Sequence, residues 1–139
     1  MRYFLLGLLS GISLVLAAVA IGKYHRPRQF SEEEVDSYAK SVAYLNEMID
    51  MKMMSNPGLT RTLLEAYCKD GFSRDPIKVW KDFRPLLEKE RLSAPEFCEV
   101  RRYAYHLKNL AAAVEAKALE DTFEKLAFRT HEIEAERSR

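Results

Sequence analysis

An uninterrupted run of uncharged residues near the amino terminus constrains this chain more than any other feature. Between Arg2 and Lys23 lie 20 residues, 3–22, without a charged side chain. As an α-helix, at about 1.5 Å per residue, they span roughly 30 Å, which is the thickness of the hydrocarbon core of a bilayer. A helix of a soluble protein is rarely apolar on every face. The run therefore predicts a segment that enters a membrane.

Two fates of this segment are open, an uncleaved single-pass anchor and a cleaved secretory signal. Ala18-Val19-Ala20 has the small-residue pattern of a cleavage site, with cleavage after Ala20. The apolar run is longer than the roughly 7–15 residues typical of the apolar part of a signal peptide, so we favour the anchor. Many small residues make the run only weakly hydrophobic. In composition alone it resembles the signal-arrest-release segments of some phage lysis proteins.

Small residues recur at helical spacing inside the predicted span. Gly7 and Gly11 form a G-x-x-x-G pair, and Ala18 and Gly22 repeat the spacing. All four fall near one face of a helix, where the lack of a bulky side chain lets a second helix approach closely. Small residues are also common in transmembrane and signal segments in general. The spacing nevertheless identifies the residues that would form a transmembrane packing face.

Charge is divided unevenly along the 139 residues, whose formal net charge is +1. Residues 1–28 carry +4 and residues 29–139 carry −3. Lys23, Arg26 and Arg28 come directly after the span, so they would meet headgroups and make membrane lipid a partner. By the positive-inside rule they favour a cytoplasmic domain, whereas a hydrophobic segment so near the amino terminus usually translocates the chain on its carboxyl side. We prefer a domain outside the cytoplasm, in the periplasm, and keep the cytoplasmic face as the alternative.

The chain beyond the anchor region reads as one small helical domain, with a boundary between residues 1–28 and 29–139. Hydrophobic residues make up 47% and charged residues 31% of the sequence, which excludes wholesale disorder. β-Branched residues are sparse, and no stretch alternates strictly between apolar and polar side chains, so strands are not expected. The predicted fold is therefore all-α, with an N-terminal transmembrane helix and a small helical bundle.

Short motifs mark where the helices begin and end. Four have clear capping or stop chemistry: Ser31 with Glu34, Asn56-Pro57-Gly58, Asp75-Pro76, and Ser93 with Glu96. We place the start of the second helix at Thr60. Pro85 lies inside the pattern of the third helix and predicts a kink or a split near Arg84.

After Pro95 the chain has neither Gly nor Pro, so a single C-terminal helix of about 40 residues is expected, packed antiparallel to the first. Its apolar positions form two stripes that meet at the alanine-rich turn 111–113. One straight helix would present these stripes on two faces. Either the helix bends there, or its far end contacts something else. We assign the second stripe to a partner surface, namely Ala112, Ala116, Leu119, Phe123, Leu126 and Ile133.

Cys68 and Cys98 are the two cysteines of the chain. In an oxidising compartment they would form a disulfide that closes a loop of about 30 residues and stabilises the fold by roughly 3 kcal/mol. In the cytoplasm we would expect two free thiols instead. Because we prefer an extracytoplasmic domain, we predict the bridge.

Motifs for catalysis, cofactor binding and metal binding are absent from the sequence. None of His25, His106 and His131 has a second His or Cys at ligand spacing. Neither G-x-x-x-x-G-K-[ST] nor G-x-G-x-x-G occurs, so no phosphate-binding loop is recognised. The near-neutral charge argues against nucleic acid as a partner. We therefore expect no catalytic residue, no cofactor, no metal and no nucleic acid.

Together these features predict a non-enzymatic, membrane-tethered interaction module. It would be an accessory or assembly subunit of a membrane complex, or an inhibitor or immunity-type factor, and its partner would be another protein or a second copy. One alternative is a small secreted or tethered enzyme, which requires a cleft with facing acidic side chains. Another is a helical ligand-binding protein, released by cleavage after Ala20. Its pocket would be lined by Trp80, Phe83, Tyr103 and Leu107.

Overall fold

The computed structural model describes residues 29–68 and 71–138. These residues form five α-helices: α1 (Glu32–Ser55), α2 (Pro57–Tyr67), α3 (Pro76–Leu87), α4 (Ala94–Ala113) and α5 (Lys117–Arg137). No strand occurs in these two ranges, and the all-α prediction is confirmed for them. The predicted transmembrane helix, residues 3–22, lies outside the described residues. Of the five helices described, none combines the length and hydropathy that a membrane span needs.

The start of α1 has the hydrogen bonds that its sequence predicts. The Glu34 backbone N–H donates to the Ser31 hydroxyl at 3.1 Å, and the Ser31 N–H donates to the Glu34 carboxylate at 3.4 Å. Phe30 and Val35, on either side of this capping box, are both buried. The reciprocal bonds satisfy two backbone donors that a helix end otherwise leaves unpaired.

A single residue, Asn56, both ends α1 and begins α2. Its backbone N–H donates to the Lys52 carbonyl at 2.8 Å, and its side chain accepts from the Leu59 N–H at 3.4 Å. Pro57 occupies the first helical position, where its missing N–H costs nothing. Helix α2 therefore begins three residues earlier than the predicted start at Thr60.

Helix α3 begins as predicted but does not split. The Asp75 carboxylate accepts from the Ile77 N–H at 3.0 Å, and Pro76 occupies the first turn. Pro85 lies inside the helix, which continues to Leu87. Proline removes one helical hydrogen bond, the one that residue 85 would donate to the carbonyl of residue 81, and the helix ends two residues later.

The expected C-terminal helix of about 40 residues is in fact two helices of 20 and 21 residues, α4 and α5. Glu115 adopts a left-handed conformation, with φ of 59°. The Glu115 N–H donates to Ala112 at 3.1 Å and the Ala116 N–H donates to Ala111 at 2.9 Å. These are the two bonds of a Schellman motif, in which the left-handed position is usually glycine. The chain therefore reverses here. Of the two alternatives for the apolar stripes, a bend near the alanine-rich turn is confirmed.

Helix α5 packs most extensively against α4, and it runs antiparallel to α1. Two contacts fix this direction: Lys52 pairs with Glu115 at 3.6 Å, and Arg129 pairs with Glu34 at 3.5 Å. The core at the centre of the bundle draws on all five helices. Its largest fully buried side chains include Phe83, Phe97, Phe123, Leu45, Leu107 and Leu126.

The bundle has two distinct ends, which we call the base and the tip. At the base, the Leu92 N–H donates to the Gln29 side chain at 2.9 Å, and the Arg137 guanidinium lies 5.7 Å from the centre of the Phe97 ring. At the tip, the α1–α2 junction lies beside the α4–α5 turn through the Lys52–Glu115 pair. The chain preceding residue 29 therefore joins the domain at the base.

The second capping box, at the base, should make stability sensitive to acid. The Lys89 ammonium, together with the backbone N–H and hydroxyl of Ser93, lowers the pKa of the Glu96 carboxyl from 4.5 to about 2. A carboxyl whose pKa is lower in the folded state than in the unfolded state stabilises the fold. This contribution is complete at a pH above the unfolded-state pKa, and it is lost as the pH falls toward the folded-state pKa. We expect part of the fall in melting temperature between pH 4.5 and about 2 to disappear in Glu96→Gln.

Circular dichroism melts of the two proteins across this range measure the effect. Glutamine still fits the capping box, so the helix start is kept. Glu90→Gln is the matched control, because Glu90 is exposed and forms no ion pair with the described residues. Identical acid profiles for Glu96→Gln and the unmodified protein would contradict the role given to this carboxyl.

Candidate interaction surface

The apolar stripe that we expected to bind a partner is not exposed. Five of its six residues are buried within the domain, namely Ala116, Leu119, Phe123, Leu126 and Ile133, and Ala112 is partly buried. The reversal at Glu115 explains the difference. It folds α5 back onto α4, so both stripes face the same core, and the expected open patch along residues 112–133 is absent.

The predicted disulfide is also not formed. Cys68 and Cys98 are both free thiols. Cys68, at the end of α2, packs against the core, and burial raises the pKa of its thiol. Cys98 lies on the exposed side of α4, where its sulfur accepts from the Arg101 guanidinium at 3.3 Å. The two sulfurs thus face different surroundings, which sequence spacing alone does not reveal.

The aromatic residues that were expected to line a ligand pocket pack against one another instead. The rings of Phe83 and Tyr103 stack with centroids 5.0 Å apart and an interplanar angle of 10°. Trp80 meets Phe83 edge to face at 5.6 Å, and Leu107 is fully buried. Tyr103 also lines a cleft of about 240 Å³ at the segment that precedes α3.

Three clefts among the described residues contain acidic side chains. One of about 630 Å³ lies at the base between α4 and α5, and its carboxylate, Glu134, accepts from Arg101 at 3.0 Å. One of about 220 Å³ contains Asp50 and Asp75, and Asp75 caps α3. One of about 240 Å³, beside Tyr103, contains a single acid, Asp82. Across residues 29–68 and 71–138, no three His, Cys, Asp or Glu side chains gather as a metal site would require.

A different set of apolar side chains is exposed, close to the tip of the bundle. Met51 is 63% exposed, Met54 is 86% exposed and Leu59 is 56% exposed. Tyr44, two helical turns before Met51, is 54% exposed. We call these four residues the methionine surface. They lie on α1 and at the start of α2, on both sides of the junction at Asn56.

The periodicity of α1 explains why only some of its methionines are exposed. Val42, Leu45 and Ile49 are buried and define the inner face of the helix. Met48 and Met53 flank that face and pack against the core. Met51 and Met54 fall on the opposite side, because successive residues of a helix are rotated by about 100°. The four methionines, close together in the sequence, thus divide into two that pack against the core and two that are exposed.

Acidic side chains accompany the methionine surface. Glu47 lies on the outer face of α1, and Asp50 lies at the edge of that face, where it also lines the cleft that contains Asp75; both are exposed. Neither forms an ion pair within the described part of the chain. Nearer the base, Glu34 pairs with Arg129 and Asp36 pairs with Arg84 at 3.2 Å, whereas the two acids that begin the helix form no ion pair with described residues. The tip half of α1 therefore presents uncompensated negative charge beside exposed apolar side chains.

The remaining predicted site residues, Gly7, Gly11, Ala18 and Gly22, lie outside the described residues. Comparisons of this chain with protein-family models, with curated proteins and with solved structures find no significant match. The methionine surface is thus defined by its geometry alone. Its signal in the sequence is the pair Tyr44 and Met51, which are seven residues apart and off the buried stripe.

Proposed function

We propose that this protein is a non-enzymatic, membrane-tethered interaction module and that the methionine surface is where its protein partner docks. It would serve as an accessory or assembly subunit of a membrane complex, or as an inhibitor or immunity-type factor. The observation that carries the proposal is the exposure of Met51 and Met54 on the outer side of α1, with Tyr44 earlier on the same side of the helix and Leu59 just after the α1–α2 junction. The proposal assigns no cofactor, metal or nucleic acid to the protein.

Exposed apolar residues that stand alone are ordinary, but a contiguous group is typical of a contact surface. Methionine suits such a surface because its side chain is unbranched, flexible and polarisable, so it adapts to the shape of a partner. Two exposed methionines within four residues of one helix give a surface of this type. Tyr44 adds a rigid aromatic ring, a residue type that often anchors interfaces.

The position of the surface suits a tethered protein. Helix α1 has 24 residues and, at about 1.5 Å per residue, extends roughly 36 Å from the base toward the tip. In the proposed topology the predicted anchor, residues 3–22, joins the domain at the base. Met54 would then stand about 30 Å from the point of attachment. A partner would meet this surface beyond the lipid headgroups.

The proposal predicts crosslinking that depends on the methionine surface. A photo-reactive amino acid at position 51 of the full-length chain, expressed in its native cells, should give one discrete crosslinked protein in the membrane fraction. Adding Met54→Asp should reduce this product at least tenfold, because a desolvated carboxylate opposes apolar docking. Immunoblots of the irradiated membranes measure the yield.

Phe128→Asp is the matched control, since Phe128 is 56% exposed but lies on α5. It should leave the crosslink intact. Equal losses from the two substitutions, or no loss from either, would contradict the docking site. Intact mass of the same membrane protein tests the tether: a mass lacking residues 1–20 would contradict it and favour the secreted enzyme or ligand-binding alternative.

A further inference from the structure

We propose that the segment docking on the methionine surface is a basic amphipathic helix of the partner, with an apolar face bordered by lysine or arginine. This inference rests on the proposed function and specifies the chemistry of the partner. It is carried by the apolar face that α1 leaves uncovered and by the acids that border that face.

The negative charge of the domain is concentrated on α1. This helix holds six acids and two bases, a net charge of −4, whereas residues 29–139 as a whole carry −3. The rest of the domain is thus nearly balanced. Glu34 and Asp36 form ion pairs within the bundle. Of the four acids of α1 that form no ion pair with described residues, two lie in its first turn, and Glu47 and Asp50 lie on the half that carries the exposed methionines.

The helical geometry places acids and apolar groups in one footprint. At about 100° per residue, Tyr44 and Met51 point in directions only about 20° apart. Glu47 and Met54 lie beside them, and Asp50 lies at the edge, so all five fall within about 120° of arc. A partner that covers this footprint must present apolar groups at the centre and positive charge at the rim. An amphipathic helix lying along α1 provides both, with apolar anchors at three- and four-residue spacing.

Other occupants match the charge less well. A symmetric contact between two copies would bring two surfaces of the same negative charge together, and like charges across an interface oppose association. An anionic lipid surface would be repelled for the same reason. Charge complementarity therefore favours a basic partner, since opposite charges speed encounter and suppress wrong partners.

Two synthetic peptides of equal length test the inference. One is an amphipathic helix of leucine and lysine, and the other replaces each lysine by glutamate. Binding is measured by fluorescence anisotropy to the full chain in nanodiscs of phosphatidylcholine, with empty nanodiscs as the blank. We expect the lysine peptide to bind, to weaken as salt is raised, and to bind E47K/D50K at least tenfold more weakly. We expect no binding of the glutamate peptide.

The matched control is E90K/E132K, which makes the same change in net charge at two exposed acids away from the tip. It should bind the lysine peptide within about twofold of the unmodified chain, because distant charges are screened. Circular dichroism checks that both variants remain folded. Equal binding of the lysine peptide to both variants would overturn the inference, as would tighter binding of the glutamate peptide.

The crosslinking experiment separates this inference from the proposed function. If the crosslink from position 51 is lost with Met54→Asp but survives E47K/D50K, the docking site stands and the basic partner is overturned. If neither change affects the crosslink, both proposals are overturned. A product formed between two copies of this chain would overturn the basic partner in favour of self-association. Loss of the crosslink with both changes supports both proposals.

Discussion

Phe123→Ala should lower the free energy of unfolding by about 3–5 kcal/mol, which is a large part of the stability of a domain this size. Phe123 is completely buried on α5, the helix that packs most extensively against α4. Removing its ring loses apolar burial and leaves a cavity that close-packed neighbours fill only in part. Phe123→Asp should prevent folding, because it buries an unpaired charge.

Urea denaturation of the full-length chain in detergent, monitored by circular dichroism, measures this difference. Phe128→Ala is the control, five residues further along the same helix and 56% exposed. Its free energy of unfolding should change by less than about 0.5 kcal/mol. Similar losses for Phe123→Ala and Phe128→Ala would contradict the packing of α5 on α4. They would again favour a second stripe that faces a partner.

Phe83→Ala should also be severe and should lower the free energy of unfolding by about 3–5 kcal/mol. Phe83 is fully buried, stacks on Tyr103 and meets the edge of Trp80. Aromatic pairs of this kind add about 0.5–1.5 kcal/mol each to the apolar burial. The effect should extend further, because Tyr103 also contacts Phe72, with ring centroids 4.8 Å apart, in the segment that precedes α3. Loss of the Phe83 ring should therefore loosen that segment.

The emission of Trp80 reports on this cluster, since Trp80 is the single tryptophan of the chain. We expect a red shift in Phe83→Ala under native conditions, together with a lower urea midpoint. Tyr105→Ala is the control, because Tyr105 is exposed on the outer side of α4. An unchanged Trp80 spectrum and midpoint in Phe83→Ala would show that the ring is not part of a packed cluster.

Local chemistry was the part of the fold that could be predicted from sequence. The capping boxes at Ser31 and Ser93 and the proline after Asp75 act over three or four residues, so their motifs are complete within the sequence. The inner face of α1 was also predictable, because a helix converts a spacing of three and four residues directly into one face. These features needed no knowledge of the side chains across the core.

The reversal at Glu115 could not be predicted in the same way. Glycine usually occupies the left-handed position at the end of a helix, and here the chain has glutamate. Burial of both apolar stripes against one core offsets the strain of that backbone conformation. Because this gain is tertiary, no local motif marks it. The burial of Leu119 and Phe123, which the sequence predicts to be part of a partner surface, follows from this turn.

The methionine surface shows a related limit. Periodicity separates the inner and outer faces of α1, but it does not tell whether another helix of the same chain covers the outer face. Lys52 pairs with Glu115 near the tip, whereas Glu47 and Asp50 form no such pair with described residues. Only the arrangement of all five helices shows that this half of α1 is left open.

The contacts of Gln29 and Arg137 around the start of α4 have a consequence for how the domain can be rebuilt. Gln29 contacts Leu92, just before α4, and Arg137 contacts Phe97, in its first turns. A flexible linker should therefore join the two ends of the described chain, and new ends could be opened between the exposed residues 90 and 91, which leaves Leu92 in place. Such a circular permutant would keep every helix while detaching the bundle from the segment before residue 29.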